Sequence, residues 1–76
     1  MTELEFMKVF GDNLNEIIDE SGYSQNEISE MTGISQATIS RYTHGLVFPS
    51  LKNVINLADA LMCDIKELVD IGDHID

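Results

Sequence analysis

Residues 24–45 read SQNEISEMTGISQATISRYTHG, and they contain two helix starts separated by a glycine. Ser24 stands three residues before Glu27, which is the spacing of a capping box. Ser35 can cap a second helix, and Gly33 lies just before it, where the chain needs a residue that tolerates positive φ. Ile39 would face the core. The stretch therefore predicts two short helices joined by a tight turn, the helix-turn-helix arrangement.

Three further helices follow from the same signals. Apolar residues recur at spacings of three and four up to Gly22, which predicts a long first helix. Ser50 begins a fourth helix, and Asp64 with Glu67 repeats the capping-box pattern before a short fifth. We predict an all-α, five-helix domain over residues 1–71 and a short acidic tail at 72–76. The predicted inward residues are Leu4, Met7, Phe10, Leu14, Ile17, Ile18, Ile28, Met31, Ile39, Tyr42, Leu51, Val54, Ile55, Ala58 and Leu61, with Ile65, Leu68 and Val69 available in the last helix.

Charge is distributed unevenly along the 76 residues, whose formal net charge is -10. Acidic residues crowd residues 1–30 and residues 59–76, but residues 31–58 contain none. That central window instead carries Arg41, Lys52 and His44. The total charge disfavours a polyanionic partner, whereas the local charge of the central window does not.

Several classes of function find no support in the sequence. Cys63 is the only cysteine, which excludes an internal disulfide and favours a packing role in a cytoplasmic protein. No apolar run is long enough to span a membrane. No metal or phosphate-loop motif and no nucleophile–base pair is present, so we expect no cofactor and no enzymatic activity. His44 is expected at a helix end rather than on a metal.

The order and spacing of these features resemble the Xre/Cro/phage-repressor-type, lambda-repressor-like helix-turn-helix family. The resemblance runs from about Phe10 to Val69. Its sharpest part is Met31-Thr32-Gly33-Ile34-Ser35-Gln36 followed by Ile39-Ser40-Arg41. It implies a lambda-repressor-like fold and a sequence-specific transcriptional regulator, with repression as the expected direction.

The same resemblance implies roles in binding double-stranded operator DNA. Residues 36–44 would form the recognition helix in the major groove, where Gln36 can pair with adenine and Ala37 can meet a thymine methyl. Arg41 would reach a guanine or a phosphate, and Gln25 would touch a phosphate and brace Gln36. Ser40 would also lie on the outward face of this helix. The remaining implied contacts with phosphate or sugar are Ser35, Thr38, Thr43 and His44.

The chain departs from the family where many members carry lysine or arginine. The corresponding positions in helix 1 include Asn13 and Asn15, and those after the recognition helix read Leu46-Val47-Phe48. We therefore expect weak nonspecific attraction to DNA phosphates. Phe48 beside Pro49 is expected to contact the core and pin the connector.

Two kinds of protein contact are expected. The fifth helix and the tail, which ends near Ile75, hold more apolar residues than one small core needs. This excess predicts a homodimer interface through Ile65, Leu68, Val69 and Ile71; the alternative is a frayed tail in which Ile75 makes no contact. Leu46 and Val47 form an apolar loop that could bind another protein. The alternative function is therefore an acidic interaction module of the same fold that sequesters another protein.

Overall fold

The computed structural model describes residues 1–72 and consists of five α-helices within that range. It confirms the predicted all-α architecture. Most of the predicted tail at 72–76, including Ile75, lies outside the described residues. No helix in residues 1–72 is long and apolar enough to cross a membrane. The helices are α1 Glu3–Ser21, α2 Gln25–Thr32, α3 Gln36–Thr43, α4 Leu51–Ala60 and α5 Ile65–Val69.

Each helix begins at a cap that its own sequence supplies. Ser24, Ser35 and Ser50 each accept a hydrogen bond through the side chain from the amide three residues later, at 3.1 Å in all three helices. The backbone amide of Asp64 donates to Glu67 Oε2 at 3.2 Å, as its sequence pattern predicts. Local chemistry therefore determines where the helices start.

The core is one cluster to which every helix contributes at least one fully buried side chain. Such sharing holds five short helices in one arrangement, because none could bury its apolar side alone. The aromatic ring of Tyr42 packs edge-on against Phe10, with 5.6 Å between ring centroids. The largest fully buried side chains are Phe10, Leu14, Ile28, Ile39, Leu57 and Leu68.

Four residues predicted to face inward are exposed instead. Leu4 and Leu51 are 70% and 71% exposed, while Met31 and Ile55 are 45% and 48% exposed. Each lies at the margin of its helix's apolar side, and a domain of this size has too little interior to cover both margins. These predictions are wrong for the isolated chain.

The connector between α3 and α4 also contains a residue that is more exposed than predicted. Phe48 is 55% exposed, although the centroid of its ring lies 5.2 Å from the ring centroid of Phe6. Val47 is half-buried against the core, whereas Leu46 is exposed. Pro49 is buried. The connector is therefore fixed by Pro49 and Val47 as well as by an aromatic contact at the surface.

Asparagine side chains join helices that are distant in sequence. Asn13 Nδ2 donates to the carbonyls of Leu68 at 3.0 Å and Asp70 at 2.9 Å, which ties the end of α5 to α1. Asn56 Nδ2 donates to the carbonyl of Thr32 at 2.7 Å and so ties α4 to the end of α2. Within the described residues, no buried side-chain nitrogen or oxygen lacks a hydrogen-bond partner.

Gly11 permits a close approach of α1 to α3. A Cβ atom at this position would lie 2.5 Å from the carbonyl oxygen of Tyr42 and 3.1 Å from that of Thr43. Both atoms belong to the backbone, so a side-chain rotation could not relieve the overlap. The absence of a side chain at Gly11 therefore sets the distance between these two helices.

We expect Gly11→Ala to lower the free energy of unfolding by about 1–3 kcal/mol, because the added methyl group overfills the contact. The sign of this change in the free energy of unfolding is informative, because alanine in an unconstrained helix is more favourable than glycine by about 1 kcal/mol. Urea unfolding followed by circular dichroism would measure the change.

Asp12→Ala, at the exposed neighbouring position, is the matched control and should shift stability by no more than about 0.5 kcal/mol. A Gly11→Ala protein at least as stable as the parent would contradict the close packing of α1 on α3.

Candidate nucleic-acid interface

The turn between α2 and α3 is fixed by short hydrogen bonds. Gly33 adopts a φ of 76°, and its amide donates to the carbonyl of Ser29 at 2.8 Å. Ser29 Oγ donates to the carbonyl of Ile34 at 2.6 Å, and the amide of Ile34 donates to Thr32 Oγ1 at 3.1 Å. The two helices are therefore held at a defined angle, as a helix-turn-helix requires.

The outward side of α3 is a polar stripe. At about 100° per residue, positions 36, 37, 40, 41 and 44 span an arc of about 140°. Ile39, Tyr42 and Thr43 are buried on the other side of the helix. Four members of the stripe are exposed and Ser40 is half-buried; the exposed members are Gln36, Ala37, Arg41 and His44.

Two amide side chains from other helices hold the end of α3. Asn53 Nδ2 of α4 donates to Tyr42 Oη at 2.8 Å, and Asn15 Nδ2 of α1 donates to the carbonyl of Thr43 at 3.4 Å. The sequence did not reveal these contacts, since they join residues 11 and 28 positions apart. They fix the direction in which the polar stripe points.

The start of α3 keeps a hydroxyl proton available. Ser35 Oγ accepts from the Thr38 amide and donates to Thr38 Oγ1 at 2.8 Å. Because Thr38 Oγ1 acts as the acceptor in that bond, its own proton is free to be donated to a phosphate.

Gln25, the first residue of α2, is half-buried.

Thr43 does not lie on this surface. Its side chain is 7% exposed, and its hydroxyl donates to the carbonyl of Ser40 at 2.8 Å. The Thr43 side chain therefore offers little surface and no free hydroxyl proton for the predicted DNA contact.

His44 is placed at the end of α3, as predicted. Its Nδ1 lies 2.7 Å from the carbonyl oxygen of Ser40. A carbonyl oxygen only accepts, so this hydrogen bond requires the proton to be on Nδ1. Among the described residues, no group of three or more acidic, histidine or cysteine side chains is arranged to hold a metal ion.

The starts of α3 and α4 differ from those of the other helices because they lack a carboxylate at the third helical position. The third helical position is Glu5 in α1, Glu27 in α2 and Glu67 in α5. In α3 it is Thr38, and in α4 it is Asn53. A carboxylate there neutralises the positive end of the helix, so α3 and α4 keep more attraction for anions.

Glu27 lies at the start of α2, where the resemblance implies a phosphate. Its Oε1 accepts from the Ser24 amide at 2.9 Å, so the carboxylate lies directly at the helix end. By contrast, the side chain of Arg41 has neither a hydrogen bond nor an ion pair within the described part of the chain, although its carbonyl accepts from the Leu46 amide at 2.9 Å. The motif thus presents one free cation on α3 and one repulsive carboxylate on α2.

The residues predicted for a dimer interface are not equivalent. Ile65 is 39% exposed, but Leu68 is fully buried in the core of the protomer. Leu68 therefore offers no exposed surface for the predicted contact with a second copy. Val69 and Ile71 are half-buried, and Val69 packs against the core.

Cys63 packs beside the core and is half-buried. Burial raises the pKa of its thiol, and the nearby carboxylates of Glu67 and Asp64 raise the pKa further. The thiol therefore stays protonated at neutral pH, which disfavours nucleophilic or redox chemistry.

Comparison with known proteins agrees with this geometry. A family profile described as helix-turn-helix matches residues 14–68. The crystal structure of the restriction-modification controller protein C.AhdI from Aeromonas hydrophila is similar, with a TM-score of 0.78 and 29% sequence identity. The match covers 82% of this chain and 94% of that chain. No curated protein sequence matches at a significant level. The chain belongs to the Cro/C1-type helix-turn-helix family of DNA-binding transcription regulators.

Proposed function

We propose that the protein is a cytoplasmic repressor that binds a two-fold operator as a homodimer, with α3 of each copy in the major groove. The observation that carries the proposal is the outward stripe of α3. It presents Gln36 and an unpaired Arg41 on a helix that other helices fix from behind, within a window free of acids. Such a surface can meet a polyanion although the whole chain is acidic.

Three exposed residues of the stripe have distinct roles in this proposal. Gln36 forms a bidentate pair with adenine, and Ala37 contacts a neighbouring thymine methyl. Arg41, one turn later, reaches guanine or a phosphate. Ser35 and Thr38 at the start of α3, with the free backbone amides, bind phosphate oxygens.

The proposed dimer rests on the short length of DNA that one α3 helix can contact. Two copies together would read a longer operator. Two recognition helices related by a two-fold axis would enter successive major grooves about 34 Å apart. The similar crystal structure is that of a restriction-modification controller protein, which supports a regulatory function for this chain. The direction of regulation, repression, follows the phage-repressor resemblance.

We expect Gln36→Ala and Arg41→Ala each to weaken binding to a selected operator by about 1–3 kcal/mol per lost base contact. The operator would be obtained by selection from a random duplex library, and affinities would be measured by fluorescence anisotropy at fixed salt. Arg41→Ala should also make the affinity less dependent on salt, because it removes a charged contact.

Lys66→Ala is the matched control for Arg41→Ala, since it removes one positive charge from α5 instead of α3. Equal losses for both variants would show a general charge effect rather than groove reading. If the parent protein binds no duplex even at low salt, the proposal fails. Capture of one protein partner through the exposed Leu46 loop would then favour the sequestering function.

A second test concerns the carboxylate at the start of α2. We expect Glu27→Gln to tighten operator binding by about two- to fivefold, which corresponds to about 0.3–1 kcal/mol for a charge at a helix end. Glutamine retains the hydrogen bond to the Ser24 amide and removes only the charge. The same anisotropy titration would measure the change.

Glu67→Gln removes an equivalent carboxylate from the start of α5 and therefore changes the net charge equally. Its operator affinity should stay near that of the parent. Equal tightening in both variants would mean that the start of α2 does not lie beside a phosphate.

A further inference from the structure

A lysine outside the helix-turn-helix lies beside the far end of the outward stripe of α3. Lys8 belongs to α1 and precedes residues 14–68, which the family profile matches. At about 100° per residue, Lys8 falls within about 60° of Gly11 and Asn15 on α1. Gly11 lies against the backbone of α3, and Asn15 donates to the carbonyl of Thr43. Lys8 is therefore on the side of α1 that packs against the end of α3.

A cleft lies between this side of α1 and the end of α3. Its volume of about 250 Å³ is several times the roughly 30 Å³ that one water molecule occupies, so a phosphate group fits within it. A Cβ atom at Gly45 would lie 3.2 Å from the Cα atom of Lys8, so the lysine is held directly beside the end of α3. The cleft is lined by Leu4, Lys8 and Asp12 of α1 and by Thr43, His44 and Gly45.

The ammonium group of Lys8 is available to a ligand. Lys8 is exposed, and its side chain makes neither a hydrogen bond nor an ion pair within residues 1–72. Asp12 lies about one turn later on α1. A lysine that precedes an acid by four residues is the less favourable order for pairing on a helix, and no ion pair joins these two side chains.

The other polar hydrogens of the cleft are engaged within the protein. The Thr43 hydroxyl donates to the carbonyl of Ser40 at 2.8 Å, and His44 Nδ1 lies 2.7 Å from the same oxygen. With the proton on Nδ1, Nε2 of the neutral imidazole has no proton to donate to an anion. The amide of Gly45 donates to a carbonyl of α3 at 3.0 Å. Of the side chains that line the cleft, Lys8 is therefore the one with protons free for an anion.

The length of α3 relates this cleft to the border of a DNA groove. The first residues of a recognition helix contact base edges, which places Gln36 inside the groove. His44 then lies about 12 Å further along the helix axis. The major groove is also about 12 Å wide, so a helix that enters the groove at Gln36 reaches its bordering phosphates near His44.

We propose that Lys8 binds a backbone phosphate of the operator at the border of the groove, beside the end of α3. The inference rests on the proposed function and adds to it a contact from outside the helix-turn-helix. It gives each copy a cationic contact on α1 in addition to Arg41 on α3. Because this chain has weak general attraction to phosphates, one such contact in each copy contributes a large share of the whole.

Lys8→Met tests the contact, because methionine keeps an apolar stem and removes the charge. Each phosphate contact contributes about 0.9 to the slope of log affinity against log salt. Loss of one contact in each copy should therefore flatten the slope by about 2 and weaken operator binding by about tenfold or more at 0.1 M salt. Lys8→Arg should keep the parent's affinity and slope. Fluorescence anisotropy with the selected operator would measure both quantities.

Neutral methylphosphonate groups, introduced one at a time into the operator, would locate the phosphate. At one position in each half-site, the modified operator should bind the parent and the Lys8→Met protein with affinities that agree within about twofold, as expected when both changes remove the same contact. At the other positions the loss caused by Lys8→Met should persist.

Asp12 provides a test of opposite sign. Asp12→Asn should tighten operator binding by about two- to fivefold, because it removes a carboxylate that shares the cleft with the phosphate. Glu20→Gln is the matched control, since it removes the same charge from the cleft between α1 and α5. Its effect on operator affinity should be smaller.

Two results would overturn the inference and leave the proposed function in place. Lys8→Met could lose no more affinity or salt dependence than Lys66→Met, which removes one positive charge from α5. Alternatively, the loss caused by Lys8→Met could persist at every methylphosphonate position, which would exclude a contact with one phosphate. A parent that binds no duplex would overturn the proposed function and the Lys8 contact together.

Discussion

The position of Tyr42 is the constraint on which the rest of the structure depends. Its ring packs edge-on against Phe10, its hydroxyl accepts a hydrogen bond from Asn53, and its carbonyl lies against Gly11. Contacts from α1 and α4 thus converge on one residue of α3. Because the inner side of α3 is held in this way, its outer side needs little ordering when it meets a ligand. A surface that is rigid before binding loses less entropy on binding.

The acidic residues of the chain are confined to particular helices of the fold. Acids occupy α1, the exposed side of α2 and the α5 region, whereas α3, the connector and α4 up to Ala58 have none. The same division recurs at the helix starts, where glutamate occupies the third position of α1, α2 and α5 only. The net charge lowers general attraction to nucleic acid and leaves specific contacts to determine the affinity. Weak general binding disfavours occupation of incorrect sites.

The sequence predicted those parts of the fold that short-range chemistry determines. Helix starts at Ser24, Ser35 and Ser50 and turns at Gly22 and Gly33 follow from side chains within three residues of each boundary. The core positions of α3 and the outward placement of Gln36 and Arg41 follow from helical period.

Contacts between distant segments could not be predicted in this way. The bonds from Asn13, Asn15, Asn53 and Asn56 depend on how the helices pack, and polar residues at those positions look like ordinary surface. The burial of Thr43 and Leu68 likewise depends on which neighbour covers each one.

The errors in the predicted core have a pattern of their own. Leu51 and Ile55 continue the apolar period of α4, yet the protomer leaves them exposed. Hydrophobic period marks the apolar side of a helix and does not distinguish the centre of that side, which the fold covers, from its margin. Helical period therefore predicts the direction in which a side chain points better than it predicts how much of that side chain the fold covers.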